Sequence, residues 1–301
     1  MKRILLEPSD YDCFTYPAGE LQVRLRNPAM DQIVGADQVS ILARILGSHD
    51  VLKMAMLSSA VEGLNRTARI EFILPYLPYA RADRRFVVGD CFGLEVFGNI
   101  LASCAPTSVL TLDAHSDISR LKIPNLTNAS SDEFITKAIG DFTEGHDHIN
   151  ILYPDEGAAQ RYRVKSCYFK KSGGVVTTRY SHATKKRDPA TGKFLGFTVP
   201  EIGNDYPVLI IDDICDGGGT FKGIAEALQD EVPRERLGLY VTHGIFSKGP
   251  SAVSTYFSKV YCTNSISDSL PWSPTGDDSF GGVFTMFDCI PDLLATPRSE
   301  V

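Results

Sequence analysis

Short apolar runs bounded by turn residues recur along the chain at Ile70–Leu74, Ser108–Leu112, Ile149–Leu152, Val208–Ile211 and Leu237–Val241. Their brevity and their Ile, Leu and Val content predict buried β-strands. Between them apolar residues fall at i, i+3 and i+7, as Leu94, Phe97 and Leu101 and again as Phe221, Ile224 and Leu228. That spacing lays one apolar stripe along a helix, the face that packs on a sheet. Strand and helix in alternation predict an α/β protein with mostly parallel sheets flanked by helices.

At 301 residues the chain exceeds what one hydrophobic core usually organises, which favours two domains. The polar stretch from Asp141 to His148 separates a helix-like segment from a fresh strand, giving expected domains 1–144 and 145–301. The extreme C-terminus is expected to pack back on the first domain. A second irregular region, Ser172 to Pro207, carries Gly173-Gly174 and a cationic cluster without a helical stripe. Segments of that length inside compact domains are usually functional or disordered.

Composition narrows the function classes. With 43% hydrophobic and 22% charged residues the chain reads as soluble and globular. No stretch approaches the roughly 18 uncharged apolar residues of a membrane helix. Behind Met1-Lys2-Arg3 the apolar run is only Ile4–Leu6, too short for a secretory signal, so a cytoplasmic location is expected. Seven cysteines at irregular spacing without C-x-x-C read as reduced, buried thiols. The net charge of −7, with no long basic run, argues against nucleic-acid binding. Phosphorylated small molecules remain compatible, because a few cations in a cleft override a modest global charge.

The sharpest motif is V-L-I-I-D-D-I-C-D-G-G-G-T at 208–220. A hydrophobic strand delivers Asp212 and Asp213, then Asp216, then Gly217, Gly218, Gly219 and Thr220 at the start of an amphipathic helix. Glycines let backbone N–H groups fold around a phosphate, and a helix N-terminus adds partial positive charge. Thr220 is expected to cap the helix or bind an oxygen. The arrangement suits a sugar 5-phosphate, with Asp212 and Asp213 accepting hydrogen bonds from vicinal ribose hydroxyls. One acid of the pair must face the packed interior, because side chains alternate along a strand, and a ligand or hydrogen bond has to justify it. The motif lacks the Gly-Lys-Ser/Thr of a Walker loop and the G-x-G-x-x-G of a dinucleotide fold.

This acid-acid strand and glycine loop resemble the phosphoribosyl-diphosphate loop of type I phosphoribosyltransferases. Further segments resemble ribose-phosphate diphosphokinases, the PRPP synthetases, in the same order: Y-P-A-G-E at 16–20, P-Y-L-P-Y-A-R-A-D-R at 75–84, L-D-A-H-S at 112–116, P-D-E-G-A-A-Q-R at 154–161 and T-H-G-I-F at 242–246. Together they span most of the chain, as expected of a divergent, phage- or bacterial-type member. The resemblance implies two phosphoribosyltransferase-like domains with a cleft between them, the first binding ATP and the second ribose phosphate.

The resemblance also implies roles. His115 and Asp155 would ligate the magnesium of Mg-ATP, and Arg81, Asp83, Arg84 and His115 would bind ATP. Tyr16 and Glu20 would reach ATP from a neighbouring subunit, which requires a dimer or a hexamer. Lys185 and Arg187 align with a catalytic Lys-x-Arg on a mobile loop, where two cations stabilise charge on the transferring phosphates. Ala82 stands where the family commonly has Gln, and Gly217 stands where it usually has a hydroxyl residue, which leaves more of the phosphate cradle to backbone.

The implied reaction moves the β,γ-diphosphoryl group of ATP to a ribose C1 hydroxyl and releases AMP. Ribose 5-phosphate is the default acceptor, giving PRPP. A rival acceptor is ADP-ribose, in an NAD-rebuilding pathway in the host cytoplasm if the chain is phage-encoded, the open Gly217 leaving room for the rest of the nucleotide. A catalytically silent regulatory subunit is the alternative of another class.

Overall fold

The computed structural model describes residues 1–143, 145–162, 169–171, 174–187, 194–202, 206–270 and 282–298. Two compact units result: Met1–Ser130 with Cys289–Val301, and Ser131–Asp288. The C-terminal segment thus counts with the first unit, and the helix that precedes the polar stretch 141–148 counts with the second.

The first unit contains β1 (Arg3–Leu6), β2 (Tyr11–Thr15), β3 (Leu21–Leu25), α1 (Asn27–Val34), β4 (Gln38–Leu42), α2 (Ser48–Leu64), β5 (Arg69–Leu74), α3 (Gly93–Ser103), β6 (Ser108–Leu112), α4 (Ile118–Lys122) and β7 (Leu126–Ala129). One parallel sheet runs β1-β4-β5-β6-β7, while β2 and β3 form a separate antiparallel hairpin. Parallel neighbours need a crossover, which α2 and α3 supply. Val39, Ile41, Phe72 and Val109 of the sheet share one core with Met54 and Leu57 of α2 and Leu94, Phe97 and Leu101 of α3. Each such side chain contributes about 1.5–3 kcal/mol on burial. Gly98 is required in α3, because a β-carbon there would run into the Lys122 carbonyl at the end of α4.

A carboxylate interrupts this apolar sheet. Glu71, in the middle of β5, is fully buried. Arg298 grips it with both arms of its guanidinium, Nε to Oε1 at 2.7 Å and Nη2 to Oε2 at 2.9 Å. Ser40 and Ser108 donate to its two oxygens, each at 2.7 Å. Burial pushes Glu71 up, but these hydrogen bonds together outweigh it and hold the group below the usual carboxylate range. The pair fastens the segment that follows the C-terminal helix Ile290–Ala295 to the first sheet.

The second unit contains α5 (Asp132–Phe142), β8 (His148–Tyr153), α6 (Glu156–Arg161), β9 (Phe169–Lys171), β10 (Gly174–His182), β11 (Thr184–Arg187), β12 (Phe194–Thr198), β13 (Val208–Cys215), α7 (Gly219–Leu228), β14 (Leu237–Gly244), α8 (Ser251–Ser254), β15 (Lys259–Thr263) and β16 (Phe284–Phe287). Its sheet runs β16-β15-β14-β13-β8-β10-β9, parallel except where β9 meets β10. Val208, Ile210 and Leu239 pack with Phe221, Ile224 and Leu228 of α7 and with Val253 and Phe257. The five strands and two helical stripes anticipated from the sequence are all present.

The region 172–207 differs from its irregular reading, because β10 adds to the main sheet and β11 and β12 form an antiparallel hairpin. The β-branched run Val175–Thr178 favours extended backbone. In β11 the lysines hide the alternation that would have announced a strand. Among the described residues no helix is long and apolar enough to cross a membrane.

Candidate active site

The acid pair ends β13. Asp213 is 3% exposed and pairs with Arg161, at the end of α6, at 2.9 Å. Asp212 is half-buried, and its Oδ1 accepts the Asp213 N–H at 2.9 Å. Burial first, then the neighbouring Asp213 charge, push Asp212 well above the usual carboxylate range. Arg161 contacts Asp213 and offsets the Asp212 charge only weakly, so a donor arriving at Asp212 would relieve an electrostatic cost. Cys215 follows on the same strand, and burial pushes its thiol up to about 12, which removes it as a nucleophile.

The glycine loop turns the strand into α7. Gly218 occupies the N-cap position with φ of 74°, a left-handed conformation that glycine adopts without penalty. Thr220 is not the cap, as had been expected, but the second residue of the helix. The backbone N–H groups of the first helical turn have no intrahelical partners, which suits an anion. A second turn backs the loop: Ile245 and Phe246 donate to the Cys215 carbonyl at 2.9 and 3.0 Å, and the Ser247 N–H donates to the Asp216 carbonyl at 3.1 Å. Ser247 Oγ also donates to Asp216 Oδ1. Asp216 is thus held by T-H-G-I-F and the residue after it.

Lys185 lies on β11, paired across to Phe197 on β12, and not on an irregular loop. Phe197 packs so close to Gly223 of α7 that a β-carbon there would collide with its ring. The hairpin is thereby anchored on the helix that opens at the glycine loop. Lys185 Nζ sits 3.3 Å from Asp155 Oδ2, and both groups are well exposed. Such a pair contributes at most about 1 kcal/mol, so it is easily given up. Asp155 itself caps α6, its Oδ1 accepting from Ala158 N at 3.0 Å. Arg187 ends β11, and its side chain lies outside the described residues.

In the first unit Asp83 is buried and bound by its exposed neighbour Arg84, Nε to Oδ1 at 2.8 Å and Nη2 to Oδ2 at 3.1 Å. Arg84 holds Asp83 below the usual carboxylate range against the effect of burial, with His115 contributing in the same direction. The Y-A-R-A-D-R and L-D-A-H-S turns therefore meet around Asp83. Arg81 is exposed in the first of them. Tyr79 and Asp113 in these turns, and Phe246 in the other unit, hold left-handed φ of 62°, 47° and 49°. Non-glycine residues reach that region at a cost and gather where geometry serves function. Tyr16 and Glu20 close the β2–β3 hairpin, where Tyr16 N donates to the Glu20 carbonyl at 2.8 Å. Neither side chain has a hydrogen bond or ion pair to Arg81, Asp83, Arg84 or His115 among the described residues.

Curated relatives of similar sequence carry one name. The chain is 26% identical over 255 residues to the ribose-phosphate pyrophosphokinase of Thermoplasma acidophilum, covering 83% of this chain and 82% of that one. It is 27% identical over 237 residues to the Maricaulis maris enzyme of the same name, covering 76% and 70%. With that of Methanopyrus kandleri it shares 25% identity over 266 residues, covering 87% and 84%. The resemblance to ribose-phosphate diphosphokinases is borne out. The enzyme reading stands with it, since these relatives are named ribose-phosphate pyrophosphokinase, a diphosphotransferase. The phosphoribosylpyrophosphate synthetase of Mycobacterium smegmatis superimposes with a TM-score of 0.71 over 98% of this chain and 96% of its own, at 19% identity. That likeness supports the two-domain phosphoribosyltransferase-like α/β fold. No family model matches the chain.

Two contributors escaped the sequence reading. Arg161 was visible in P-D-E-G-A-A-Q-R, but its pairing with Asp213 joins distant segments. Lys248 follows T-H-G-I-F-S, and its stem lies against Gly217. Of the cysteines, Cys13 and Cys91 are exposed, whereas Cys104, Cys215, Cys262 and Cys289 are buried; Cys167 lies outside the described residues. The expectation of buried thiols therefore fails for the first two, which lie on the hairpin strand β2 and just before α3.

Proposed function

We propose that this chain transfers the β,γ-diphosphoryl group of Mg-ATP to the C1 hydroxyl of ribose 5-phosphate, giving PRPP and AMP. The observation that carries this reading is Asp212, whose ionised form burial and the neighbouring Asp213 disfavour, at the end of a β13 that runs directly into a glycine loop at the start of α7. Its position matches that of the acceptor loop in the family the chain resembles.

In this reading Asp212 and Asp213 accept hydrogen bonds from the ribose 2- and 3-hydroxyls, and the backbone of Asp216–Thr220 holds the 5-phosphate. The C1 oxygen attacks the β-phosphorus, a new C1–O–P bond forms, and the bond from that phosphorus to the α,β-bridging oxygen breaks. AMP leaves with that oxygen, and the hydroxyl proton passes to solvent. Little covalent chemistry falls to the protein, which positions the groups and neutralises charge. Arg81, Asp83 and Arg84 hold the nucleotide, with Tyr16 and Glu20 contributed by an adjacent subunit of a homo-oligomer. Lys185 leaves Asp155 and, with Arg187, meets the charge that builds on the transferring phosphates.

His115 and Asp155 would hold magnesium. One imidazole and one carboxylate suit a cation that takes most of its ligands from water and phosphate. The exposed Lys185–Asp155 pair is weak enough for a divalent cation to replace. Magnesium held there would supply charge neutralisation to the transferring phosphates.

ADP-ribose is the rival acceptor, and ribose 5-phosphate is the one stated here because the relatives of similar sequence are named for ribose phosphate. Purified protein incubated with Mg-ATP and either acceptor decides the matter through AMP release and product mass. AMP and PRPP are expected with ribose 5-phosphate. AMP with ADP-ribose alone would move the acceptor, and no AMP with either would overturn the reading.

A further inference from the structure

Gly217 sits where the resembled family carries a side chain, and the structure shows what replaces that side chain. A β-carbon built on Gly217 would stand 3.2 Å from Lys248 Cε and 3.3 Å from its Cδ. The aliphatic stem of Lys248 therefore lies along the glycine, and its ammonium is one bond beyond the Cε that touches the loop. The placement is built in. Lys248 directly follows Ser247, whose N–H and hydroxyl are both spent on Asp216, and precedes Gly249, whose N–H donates to the Phe246 carbonyl at 2.8 Å with φ of 80°. The turn 245–249 is strapped to the glycine loop on one side of Lys248 and closed by a left-handed glycine on the other.

The chemistry of the ammonium is unspent. Lys248 is exposed, and among the described residues its Nζ forms no hydrogen bond or ion pair. Asp216, the acid that opens the loop, is engaged by Ser247. The loop thus presents backbone N–H groups, an open helix N-terminus and one exposed cation at the same place.

We propose that Lys248 is a binding residue for the acceptor's phosphate, supplying from the neighbouring turn the contact that no side chain at position 217 can make. The proposal rests on the acceptor-loop reading above. A lysine is a point charge with three donors on a flexible stem, so it follows a phosphate that enters and leaves without demanding one geometry. Gly217 is then the partner that makes room for the stem, and the two residues form one device.

The test is direct binding of ribose 5-phosphate and of inorganic phosphate to the full chain by calorimetry, for wild type, Lys248→Met, Lys248→Arg and Lys248→Ala. Methionine keeps most of the stem and removes the charge, which separates electrostatics from packing. Losing one charge-assisted contact should weaken binding about five- to twentyfold in Lys248→Met and Lys248→Ala, with Lys248→Arg retaining most of it. The difference should shrink as salt is raised. Equal binding by wild type and Lys248→Met overturns the proposal, as does the absence of phosphate binding by wild type. A charge-dependent affinity in a protein that forms no AMP would uphold Lys248 while refuting the diphosphotransfer reading, so the two fail separately.

Discussion

Glu71 in the first unit and the Asp212–Asp213 pair in the second are both carboxylates sunk into parallel sheets, but they are compensated very differently. Glu71 receives a bidentate guanidinium and two hydroxyls, and its acidity is strengthened despite complete burial. Arg161 contacts Asp213, and Asp212 beside it is left a weak acid. A buried charge with every lone pair met is part of the scaffold. One left short of donors at the rim of a glycine loop stores unfavourable energy that a ligand can release. The contrast is the physical ground for placing Glu71 with the scaffold and for the role proposed for Asp212.

The largest effect should come from the functional side. Asp212→Asn is expected to lower acceptor kcat/KM about a hundredfold or more, the scale of losing a charged contact in a transition state, while melting no earlier than wild type. Removing a carboxylate whose ionised form is disfavoured in the fold relieves a cost. A variant that melts earlier and binds acceptor normally would place Asp212 with the scaffold. Lys185→Ala should lower kcat to a similar degree with little change in nucleotide affinity, and near-normal turnover would remove Lys185 from the chemistry.

On the structural side, Arg298→Met leaves Glu71 buried without its cation. A loss of about 2–4 kcal/mol in unfolding free energy is expected, toward the low end because the guanidinium is partly exposed. Activity per folded molecule should survive at low temperature. Chemical denaturation reads the first quantity and steady-state AMP release the second.

Acidity distinguishes the two sites again. The folded pKa of Glu71 is depressed, so its contribution is complete above the ordinary carboxylate range and is lost as pH falls through the lower folded value. The folded pKa of Asp212 is raised, so its ionisation costs stability near neutrality, and that cost disappears as pH falls through the raised value. Wild type should gain a little stability on mild acidification and lose it in stronger acid. Asp212→Asn should abolish the gain, and Glu71→Gln should diminish the later loss. Opposite assignments in thermal melts across pH would reverse the comparison.

The smallest effect is expected from Gly217→Thr. Gly217 lies outside the left-handed region, so the change meets a flexible lysine stem and not backbone strain. A few-fold shift in acceptor KM, with stability within about 0.5 kcal/mol, is expected for a surface change of this kind.

Much of this was legible in the sequence where local chemistry decides structure. Val208–Ile211 could only be a buried strand, and three glycines after an acid could only be a tight turn into a helix. The Asp83–Arg84 pair lies within one turn and belongs to a motif that was read. The rest depends on distant partners. Arg161 reaches Asp213 from another helix, and Lys248 reaches Gly217 from another turn, so neither spacing reveals the contact. The hairpin bearing Lys185 was hidden because exposed lysines alternate with nothing apolar. Thr220 lost the cap to Gly218 because the left-handed turn falls two residues earlier.

One titration weighs the whole contrast: AMP release at saturating Mg-ATP against ribose 5-phosphate concentration, for wild type, Glu71→Gln and Asp212→Asn at a temperature where all three are folded. The expected result is a wild-type acceptor KM and turnover for Glu71→Gln, and loss of about a hundredfold or more in kcat/KM for Asp212→Asn. Equal losses in both variants, or loss in Glu71→Gln alone, would contradict the assignment of the acceptor site to the acid pair of the second unit.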